Sequence, residues 1–326
     1  MQSLNWSEST VLVTGGTGSF GRKFVEFLLQ SQRPKKLIVF SRDELKQHEM
    51  RQAFPEGPSS PMRYFIGDIR DRDRLTRALY GVDVIIHAAA MKQVPACEYN
   101  PFEAIQTNIV GAKNVIDAAI DQGVSRVIAV STDKAVSPVN LYGATKLVAE
   151  KLFVQGNAYA GGRSTRFACT RYGNVVGSRG SVVPLFLQQR ETGCITITDP
   201  EMTRFWITLD QGVRFVSTCA ERMRGGEIFV PKIPSMRLVD LADTIAADCE
   251  RRVIGIRPGE KIHEMLLSAD ESRHAVEQED RYVIQPEGHW LDHPAQDGGR
   301  PLTEGFSYAS NTNQDWLDGA AFRNLL

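Results

Sequence analysis

Short apolar runs alternate with stretches of helical periodicity over the first half of the chain. The runs lie at positions 10–14, 36–40, 63–69, 83–90, 126–130 and 167–172, and several are rich in β-branched residues. Between the fourth and fifth runs, apolar residues recur at the period of a helix packed on a core. Strands and helices that alternate with short links predict a doubly wound parallel sheet, because crossovers between parallel strands are right-handed.

The pattern changes after position 175, where the strand and helix signals become shorter and less regular. We therefore predict an α/β dinucleotide-binding domain over residues 1–175, to which part of 205–235 returns. Residues 176–326 are predicted to be mainly a smaller substrate-binding region that ends in a C-terminal arm. Ser235 is the predicted N-cap of a helix that extends through Ile245. The tail after Glu287 is rich in Gly, Pro, Asp and Asn and is expected to be poorly ordered.

The composition is that of an ordinary globular protein. Of the 326 residues 42% are hydrophobic and 24% charged, and a net charge of -1 gives no reason to expect a nucleic acid or a membrane surface as partner. The five cysteines lack metal-ligand spacing, so we expect structural thiols and no metal site. The first ten residues are polar and no apolar run could span a bilayer, which predicts a soluble, cytoplasmic protein.

The first apolar run ends in a glycine turn, Gly15-Gly-Thr-Gly18-Ser-Phe-Gly21, and a helical pattern follows it. Strand, glycine turn and helix together predict a dinucleotide site, because glycines let the backbone approach a pyrophosphate at the helix N-terminus. The spacing is G-x-x-G-x-x-G rather than the G-x-G-x-x-G of most dehydrogenases.

The turn after the second run bears on the choice of nicotinamide cofactor. Arg42 and Lys46 are suited to a 2′-phosphate, so they favour NADP over NAD. Asp43, in the same turn, is the type of residue that holds ribose hydroxyls, and it leaves NAD open. Asp68, after the third run, is either an adenine contact or a turn or helix cap.

The fourth run ends in the small residues Ala88, Ala89 and Ala90, which would let a flat ring lie close to the backbone. His87, inside this run, is expected to be a core histidine with a satisfied hydrogen bond. Lys92, just beyond it, is either solvated or a phosphate or sugar contact.

The stretch from Ser131 to Lys146 carries the candidate chemistry. It follows the fifth run, and open parallel sheets keep their chemistry at the carboxyl ends of strands. Tyr142 and Lys146 are four residues apart, which places them on one face of a helix. A nearby cation lowers the pKa of a phenol, so Tyr142 is a candidate proton donor and acceptor. After the sixth run, Arg171 and Arg179 are candidate anion contacts.

Several motifs together resemble the inverting UDP-N-acetylglucosamine 4,6-dehydratases of the extended short-chain dehydrogenase/reductase superfamily. They are T-G-G-T-G-S-F-G, S-R-D-E-L-K, S-T-D-K-A, Y-G-A-T-K, R-Y-G-N-V-V-G-S-R-G, M-T-R-F-W-I-T and G-I-R-P-G-E-K. The likeness runs nearly end to end, apart from a proline-rich insert at 55–61 and the segment 288–299. It implies NADP as cofactor, UDP-N-acetylglucosamine as substrate, a first step towards pseudaminic acid, and a homo-oligomer built of dimers, a hexamer among the options.

The resemblance also implies a role for each matching residue. Tyr142 and Lys146 would oxidise C4 of the sugar, and Thr132 would hold the C4 oxygen. Lys134 would take the C5 proton while Asp133 protonates the departing C6 hydroxyl. The implied cofactor contacts, besides Tyr142 and Lys146, are Gly15, Thr17, Gly18, Ser19, Phe20, Gly21, Ser41, Arg42, Asp43, Lys46, Asp68, Ile69, Ala88, Ala89, Ala90, Lys92 and Val175. The implied substrate contacts are Lys92, Asn174, Val183, Thr198, Met202, Arg204, Arg257 and Glu260.

Elimination of water needs an unprotonated base beside a protonated acid. We expect burial to lower the pKa of Lys134 and raise that of Asp133, so that one shared proton makes both groups neutral. A plain salt bridge between them is not expected, because neighbouring side chains diverge in a strand, although a turn would weaken this objection.

Other activities on this fold require different catalytic residues. A UDP-N-acetylhexosamine 4-epimerase moves hydride out and back at C4 and needs no acid–base pair, so Asp133 and Lys134 argue against it. A retaining dehydratase would have Glu in place of Lys134. A catalytically silent NADP-binding scaffold would have lost the Tyr–Lys pair, which is intact here.

Overall fold

A central, mostly parallel sheet contains all six apolar runs of the first half of the chain. The computed structural model describes residues 3–178, 180–287 and 298–326. Its strands are β1 (Thr10–Thr14), β2 (Lys36–Ser41), β3 (Met62–Ile66), β4 (Val84–His87), β5 (Arg126–Val130), β6 (Arg166–Thr170), β7 (Asn174–Val175), β8 (Cys194–Ile197), β9 (Thr203–Ile207), β10 (Ile228–Pro231), β11 (Ser235–Arg237), β12 (Glu250–Val253), β13 (Met265–Leu267), β14 (Ala275–Glu277), β15 (Arg281–Ile284), β16 (Arg300–Pro301) and β17 (Tyr308–Ala309).

The order of strands confirms the predicted fold class. The sheet runs β3-β2-β1-β4-β5-β6-β10 with every neighbouring pair parallel, and antiparallel β15, β14 and β16 extend it beyond β10. This is the doubly wound order, in which the winding reverses between β1 and β4 and ligands bind at the carboxyl ends of the strands. β1 and β4 are buried along their whole length, as expected where helices cover both faces of a sheet.

Helices connect and cover the strands. They are α1 (Ser19–Phe27), α2 (Glu44–Ala53), α3 (Arg72–Ala78), α4 (Val94–Tyr99), α5 (Pro101–Ile105), α6 (Gly111–Gln122), α7 (Leu141–Ala160), α8 (Val182–Arg190), α9 (Leu209–Arg222), α10 (Leu238–Ala246) and α11 (Gly319–Arg323). A π-helical turn over Gln106–Val110 joins α5 to α6, so the helical pattern seen between the fourth and fifth runs is a continuous helical segment. Among the described residues, no helix has the length and apolarity needed to cross a bilayer.

The C-terminal region has a core of its own. β7, β9 and β11 form a small sheet and β8 pairs with β12, while Val183, Phe186, Trp206 and Phe322 are among the buried residues between them. The same region also contributes four strands to the central sheet, namely β10, β15, β14 and β16.

Two local predictions for this region are wrong. Ser235 is not a helix N-cap: it lies in β11, where its backbone bonds to Asp315 and Leu317, and α10 begins three residues later. The tail is not a loose arm over its described part, because β16 and β17 each pair with a strand and Phe322 packs edge-on against Trp206 at 5.2 Å. Residues 288–297 of the predicted arm lie outside the described residues.

Candidate active site

The glycine turn between β1 and α1 leaves backbone amides available to an anion. Gly15 has a φ of 65°, and a Cβ there would lie 2.9 Å from the Cα of Ala89. The N-cap of α1 is Gly18, which offers no side-chain cap to the first N–H groups of the helix. The ring of Phe20 stacks on that of Tyr172 with centroids 6.1 Å apart. A dinucleotide pyrophosphate fits this uncapped N-terminus, where Ser19 begins the helix.

The turn after β2 presents cations rather than a free carboxylate. Asp43 is the N-cap of α2 and also binds Lys46 Nζ at 2.6 Å, which lowers the pKa of the carboxyl. Arg42 is exposed, with Nη1 3.7 Å from Asp68. Ser41 Oγ lies 2.8 Å from the hydroxyl of Thr17 and so links the ends of β1 and β2.

Asp68 caps a turn, which agrees with one of the two alternatives for it. Its Oδ1 accepts from the Arg70 amide at 3.0 Å, and its Oδ2 accepts from the Arg70 guanidinium at 2.8 and 3.0 Å. Burial raises the pKa of Asp68, but the bonds from Arg70 outweigh burial and lower it overall. The next residue, Ile69, is buried.

His87 and the small residues after it form the carboxyl end of β4. His87 is buried and bonded to Thr14 Oγ1 at 2.8 Å, which confirms a satisfied core histidine; burial and the charge of Lys146 lower its pKa to about 3. Ala88 and Ala89 are half-buried and Ala90 is exposed. Lys92 is exposed at the same edge, and its pKa is lowered by desolvation and by the charge of Lys134.

A 3₁₀ turn over Asp133–Ala135 brings the predicted acid and base into contact. Lys134 Nζ donates to Asp133 Oδ1 at 3.1 Å, and Thr132 Oγ1 donates to the same oxygen at 2.8 Å. The expectation that these neighbours diverge is therefore wrong, since a turn and not a strand carries them. Asp133 is 1% exposed, and its Oδ2 has no hydrogen-bond partner among the described residues.

Glu264 is a member of this cluster that sequence reasoning missed. Its Oε1 lies 3.1 Å from Lys134 Nζ, and its Oε2 lies 3.7 Å from the ammonium of Lys261. It is buried just before β13, where the backbone N–H and C=O of Glu264 bond to Ser310. The signal available in the sequence was its position, three residues beyond the G-I-R-P-G-E-K motif.

The two carboxylates keep Lys134 charged, which corrects the expectation of a neutral amine. Burial opposes the charge, but Asp133 and Glu264 outweigh it and hold the pKa of Lys134 above its ordinary value. For Asp133 the expected direction is confirmed, because burial and the charge of Glu264 raise its pKa. Burial also raises the pKa of Glu264, but the charges of Lys134, Arg204 and Lys261 lower it by more.

Tyr142 stands next to this cluster in the first turn of α7. Burial raises its pKa to about 12, while the charge of Lys134 and a hydrogen bond with Thr132 act in the opposite direction. Lys146, one turn later, donates to the carbonyl of Val130 at 2.8 Å, and burial lowers its pKa. The pKa of the phenol is therefore raised overall, contrary to the sequence argument, and the cation that opposes this rise is Lys134 rather than Lys146.

The predicted substrate contacts lie in different surroundings. Arg204 is buried and donates to the carbonyls of Thr203, Lys261 and Ile262, whereas Arg257 is exposed and pairs with Glu260 at 3.0 Å. Asn174 Oδ1 is buried without a hydrogen-bond partner among the described residues. Val183, Thr198 and Met202, also predicted substrate contacts, are buried, and Val175, a predicted cofactor contact, is half-buried in β7.

Arg171 is not available to bind an anionic group of a ligand, contrary to the prediction. It is fully buried, and its guanidinium bonds to the carboxylates of Glu150 and Glu271, each at 2.7 Å at the closest. A further bond goes to the carbonyl of Leu266 at 3.1 Å, so these acceptors already engage all three nitrogens. Arg179, the other candidate, lies outside the described residues.

The sheet order, the uncapped glycine turn and the Tyr–Lys pair of α7 define an extended short-chain dehydrogenase/reductase with a Rossmann-like fold. Within that class the chain belongs to the polysaccharide biosynthesis protein family, whose sequence profile matches residues 11–286. It is 52% identical, over 95% of each chain, to a Campylobacter jejuni protein named UDP-N-acetylglucosamine 4,6-dehydratase (inverting).

Solved structures agree with this grouping. The X-ray structure of Pen from Bacillus thuringiensis is 39% identical and superposes with a TM-score of 0.90 over 99% of this chain and 98% of that one. DesIV from Streptomyces venezuelae, a dTDP-glucose 4,6-dehydratase solved with NAD bound, is 25% identical with a TM-score of 0.68, over 78% of this chain and 86% of that one.

Proposed function

We propose that the protein is an inverting UDP-N-acetylglucosamine 4,6-dehydratase, a carbon–oxygen lyase. The observation that carries this proposal is the buried Asp133 carboxyl in contact with the Lys134 ammonium, beside the phenol of Tyr142. The 52% identity to the Campylobacter jejuni protein of that name supports it. A UDP-N-acetylhexosamine 4-epimerase, the alternative, has no use for a group that protonates a leaving hydroxyl.

The residues present fit NADP as the bound cofactor. The N-terminus of α1 would hold the pyrophosphate, and Ser41, Arg42 and Lys46 would hold the 2′-phosphate. Asp43 is engaged by Lys46 and by the amides of α2, which makes it a poor partner for the ribose hydroxyls that distinguish NAD. When bound, the cofactor accepts a hydride from C4 of the sugar and returns it at C6.

Side chains of the protein would carry out the proton transfers. Tyr142 would take the proton of the C4 hydroxyl while Thr132 would hold that oxygen. The C4 ketone makes the C5 proton acidic; Lys134 takes this proton once its ammonium has become a neutral amine, and Asp133 protonates the C6 hydroxyl, which leaves as water. Return of a proton to the opposite face of C5 gives UDP-2-acetamido-2,6-dideoxy-β-L-arabino-hex-4-ulose, a first intermediate towards pseudaminic acid.

The wider assignments follow from the same proposal. Asn174, Arg204, Arg257 and Glu260 would hold the UDP moiety and the sugar. We place the enzyme in the cytoplasm, in keeping with its five free thiols. We assign a homo-oligomer built of dimers, and the exposed aromatic residues Tyr99, Phe102 and Tyr159, which lie in α4, α5 and α7, are candidates for its interface.

Incubation of the purified protein with UDP-N-acetylglucosamine tests the proposal. Loss of one water, with a new 4-keto signal in NMR, is the expected result. An unchanged mass with UDP-N-acetylgalactosamine appearing would identify the epimerase, and no turnover would leave a nucleotide-binding protein. The nucleotide that co-purifies with the protein, identified by mass, distinguishes NADP from NAD.

A further inference from the structure

Two buried carboxylates share the single ammonium of Lys134. Asp133 Oδ1 and Glu264 Oε1 each lie 3.1 Å from Nζ, and the two carboxylate side chains are 1% and 3% exposed. One cation needs one counterion, and a second buried anion without its own partner is costly. Which of Asp133 and Glu264 carries the negative charge therefore depends on the other groups around each carboxylate.

The surroundings favour Glu264 as the charged member. Besides Lys134, it faces the ammonium of Lys261 at 3.7 Å and the guanidinium of Arg204. Asp133 instead leaves Oδ2 buried without a hydrogen-bond partner among the described residues. A bare anionic oxygen in that position costs more than a protonated one, because desolvation penalises the charged form most. The raised pKa of Asp133 and the lowered pKa of Glu264 agree with this distribution.

We propose that Glu264 is the counterion of Lys134 and accepts its proton during turnover, which leaves Asp133 protonated on Oδ2. The turnover part rests on the proposed function. In that step an Nζ–H bond of Lys134 breaks and an Oε1–H bond of Glu264 forms, so the amine becomes neutral. The amine then takes the C5 proton, and Asp133 still holds its own proton for the C6 hydroxyl. Glu264 acts through Lys134 and is a positioning residue.

Several charged or titratable groups face this cluster and have to be considered in any pH experiment. Tyr142 comes from α7, Lys134 from the same turn as Asp133, Glu264 and Lys261 from the segment before β13, Arg204 from β9, and Lys92 from the segment after β4. Of these groups, Arg204 and Lys261 lower the pKa of Glu264 and so favour its ionised form in the resting protein.

Infrared spectroscopy of the full-length protein tests the resting charge without any substrate. The difference spectrum between wild type and Asp133→Asn at neutral pH should contain a protonated carboxylic acid band that shifts in D₂O. In Glu264→Gln, Asp133 becomes the sole carboxylate partner of Lys134, so this band should disappear. Glu264→Asp keeps the charge and should restore the band. Absence of the band from wild type, or its persistence in Glu264→Gln, would overturn the proposal.

The pH dependence of kcat tests the turnover part. The alkaline limb reports the loss of the proton on the catalytic acid, so in Glu264→Gln it should move down by about one pH unit, a roughly tenfold loss of rate at a fixed pH beyond the limb. Glu264→Asp should return the limb towards its wild-type position. A limb that does not move, whether or not kcat falls at every pH, would indicate a merely structural role and contradict the proposal.

Glu271→Gln is the matched control, because Glu271 is also paired with a buried cation but does not contact Lys134. It should lower the melting temperature and leave the Asp133 band in place. Loss of the band in this control would overturn the proposal in favour of general destabilisation. If wild type forms no 4-keto product while the band behaves as stated, the proposed function fails and the charge assignment stands. If product forms but the band is absent, the reverse holds.

Discussion

At the scale of single residues, Lys134 is the group on which water loss should depend most. Lys134→Ala removes the C5 base, so dehydration should fall by at least about 100-fold, while NADP binding stays, because Lys134 is not among the predicted cofactor contacts. Product formation by mass spectrometry and bound cofactor by absorbance measure the two effects. Lys151→Ala, on the exposed side of α7, is the control. Dehydration retained in Lys134→Ala would refute the assignment.

The proton that returns to C5 should come from solvent. It passes through side chains that exchange with water, so turnover in D₂O should place deuterium at C5 of the product. NMR of the isolated product measures this label. A product that carries only hydrogen at C5 would mean that the proton never reaches an exchangeable group, and would contradict the role given to Lys134.

His87 should make the free energy of unfolding depend on pH below 6.5, the ordinary pKa of histidine. Its pKa in the folded protein is about 3, below the usual 6.5, so the unfolded chain binds the proton first. Its contribution is complete above pH 6.5 and is lost as the pH falls, by about 2 kcal/mol between pH 6.5 and 5. Denaturant unfolding of wild type and His87→Asn at pH 7 and 5 measures the contribution of His87 to the free energy of unfolding. Equal pH dependence in both proteins would contradict the prediction.

At the scale of elements, the catalytic turn and the start of α7 are packed without a gap. A Cβ on Gly143 would collide with the backbone carbonyl of Lys134. Gly143→Ala should therefore cost about 1–3 kcal/mol in unfolding free energy and reduce dehydration, because the turn and Tyr142 can no longer keep their positions. Thermal melts and the dehydration assay measure both effects.

Gly212 is the matched control for this change. It lies in the first half of α9 with open space where a Cβ would be added. Gly212→Ala should be neutral or stabilise the protein by up to about 1 kcal/mol, since alanine is the better helix former. If the two variants lose the same stability, the collision at Lys134 is not the cause.

The elements that the sequence predicts well are those whose signal is local. The strands β1 to β6 are continuous apolar runs, and their order follows from the right-handed crossover rule. The prediction for Ser235 is wrong because helix caps and strand ends share residue types. Its strand pairs with β9, which lies about thirty residues earlier in the chain. The salt bridge between Asp133 and Lys134 was not expected because the pattern does not show that β5 is followed by a 3₁₀ turn at Asp133.

At the scale of the whole molecule, the site is assembled from distant parts of the chain. Asp133, Lys134 and Tyr142 could be predicted from one short stretch, whereas Glu264 comes from a segment that follows the smaller core. A single sequence gives no register between such segments. The same reason explains Arg171, whose acidic partners lie on α7 and in the 3₁₀ turn before β14.

The buried ion pairs of Arg171 should stabilise the assembly of these parts. Arg171→Met leaves Glu150 and Glu271 without their cation, which should cost about 3–5 kcal/mol in denaturant unfolding. Arg214→Met, which breaks an exposed pair with Asp210, should cost less than about 1 kcal/mol. Similar losses in the two variants would mean that burial does not set the value of the Arg171 pairs.

The hydroxyl of Ser310 has a consequence for engineering the chain terminus. It lies 2.6 Å from the hydroxyl oxygen of Thr203 and accepts from the Glu264 amide at 2.9 Å. The residue just after the last strand therefore holds Glu264, a residue of the proposed proton pathway, in place. An affinity tag appended to the exposed Leu326 should be harmless. A stop codon ahead of Tyr308, by contrast, would release Glu264 and also remove the buried Tyr308 and Phe322. The truncated enzyme should therefore lose stability as well as acid–base chemistry, although every deleted residue is remote in sequence from the catalytic turn.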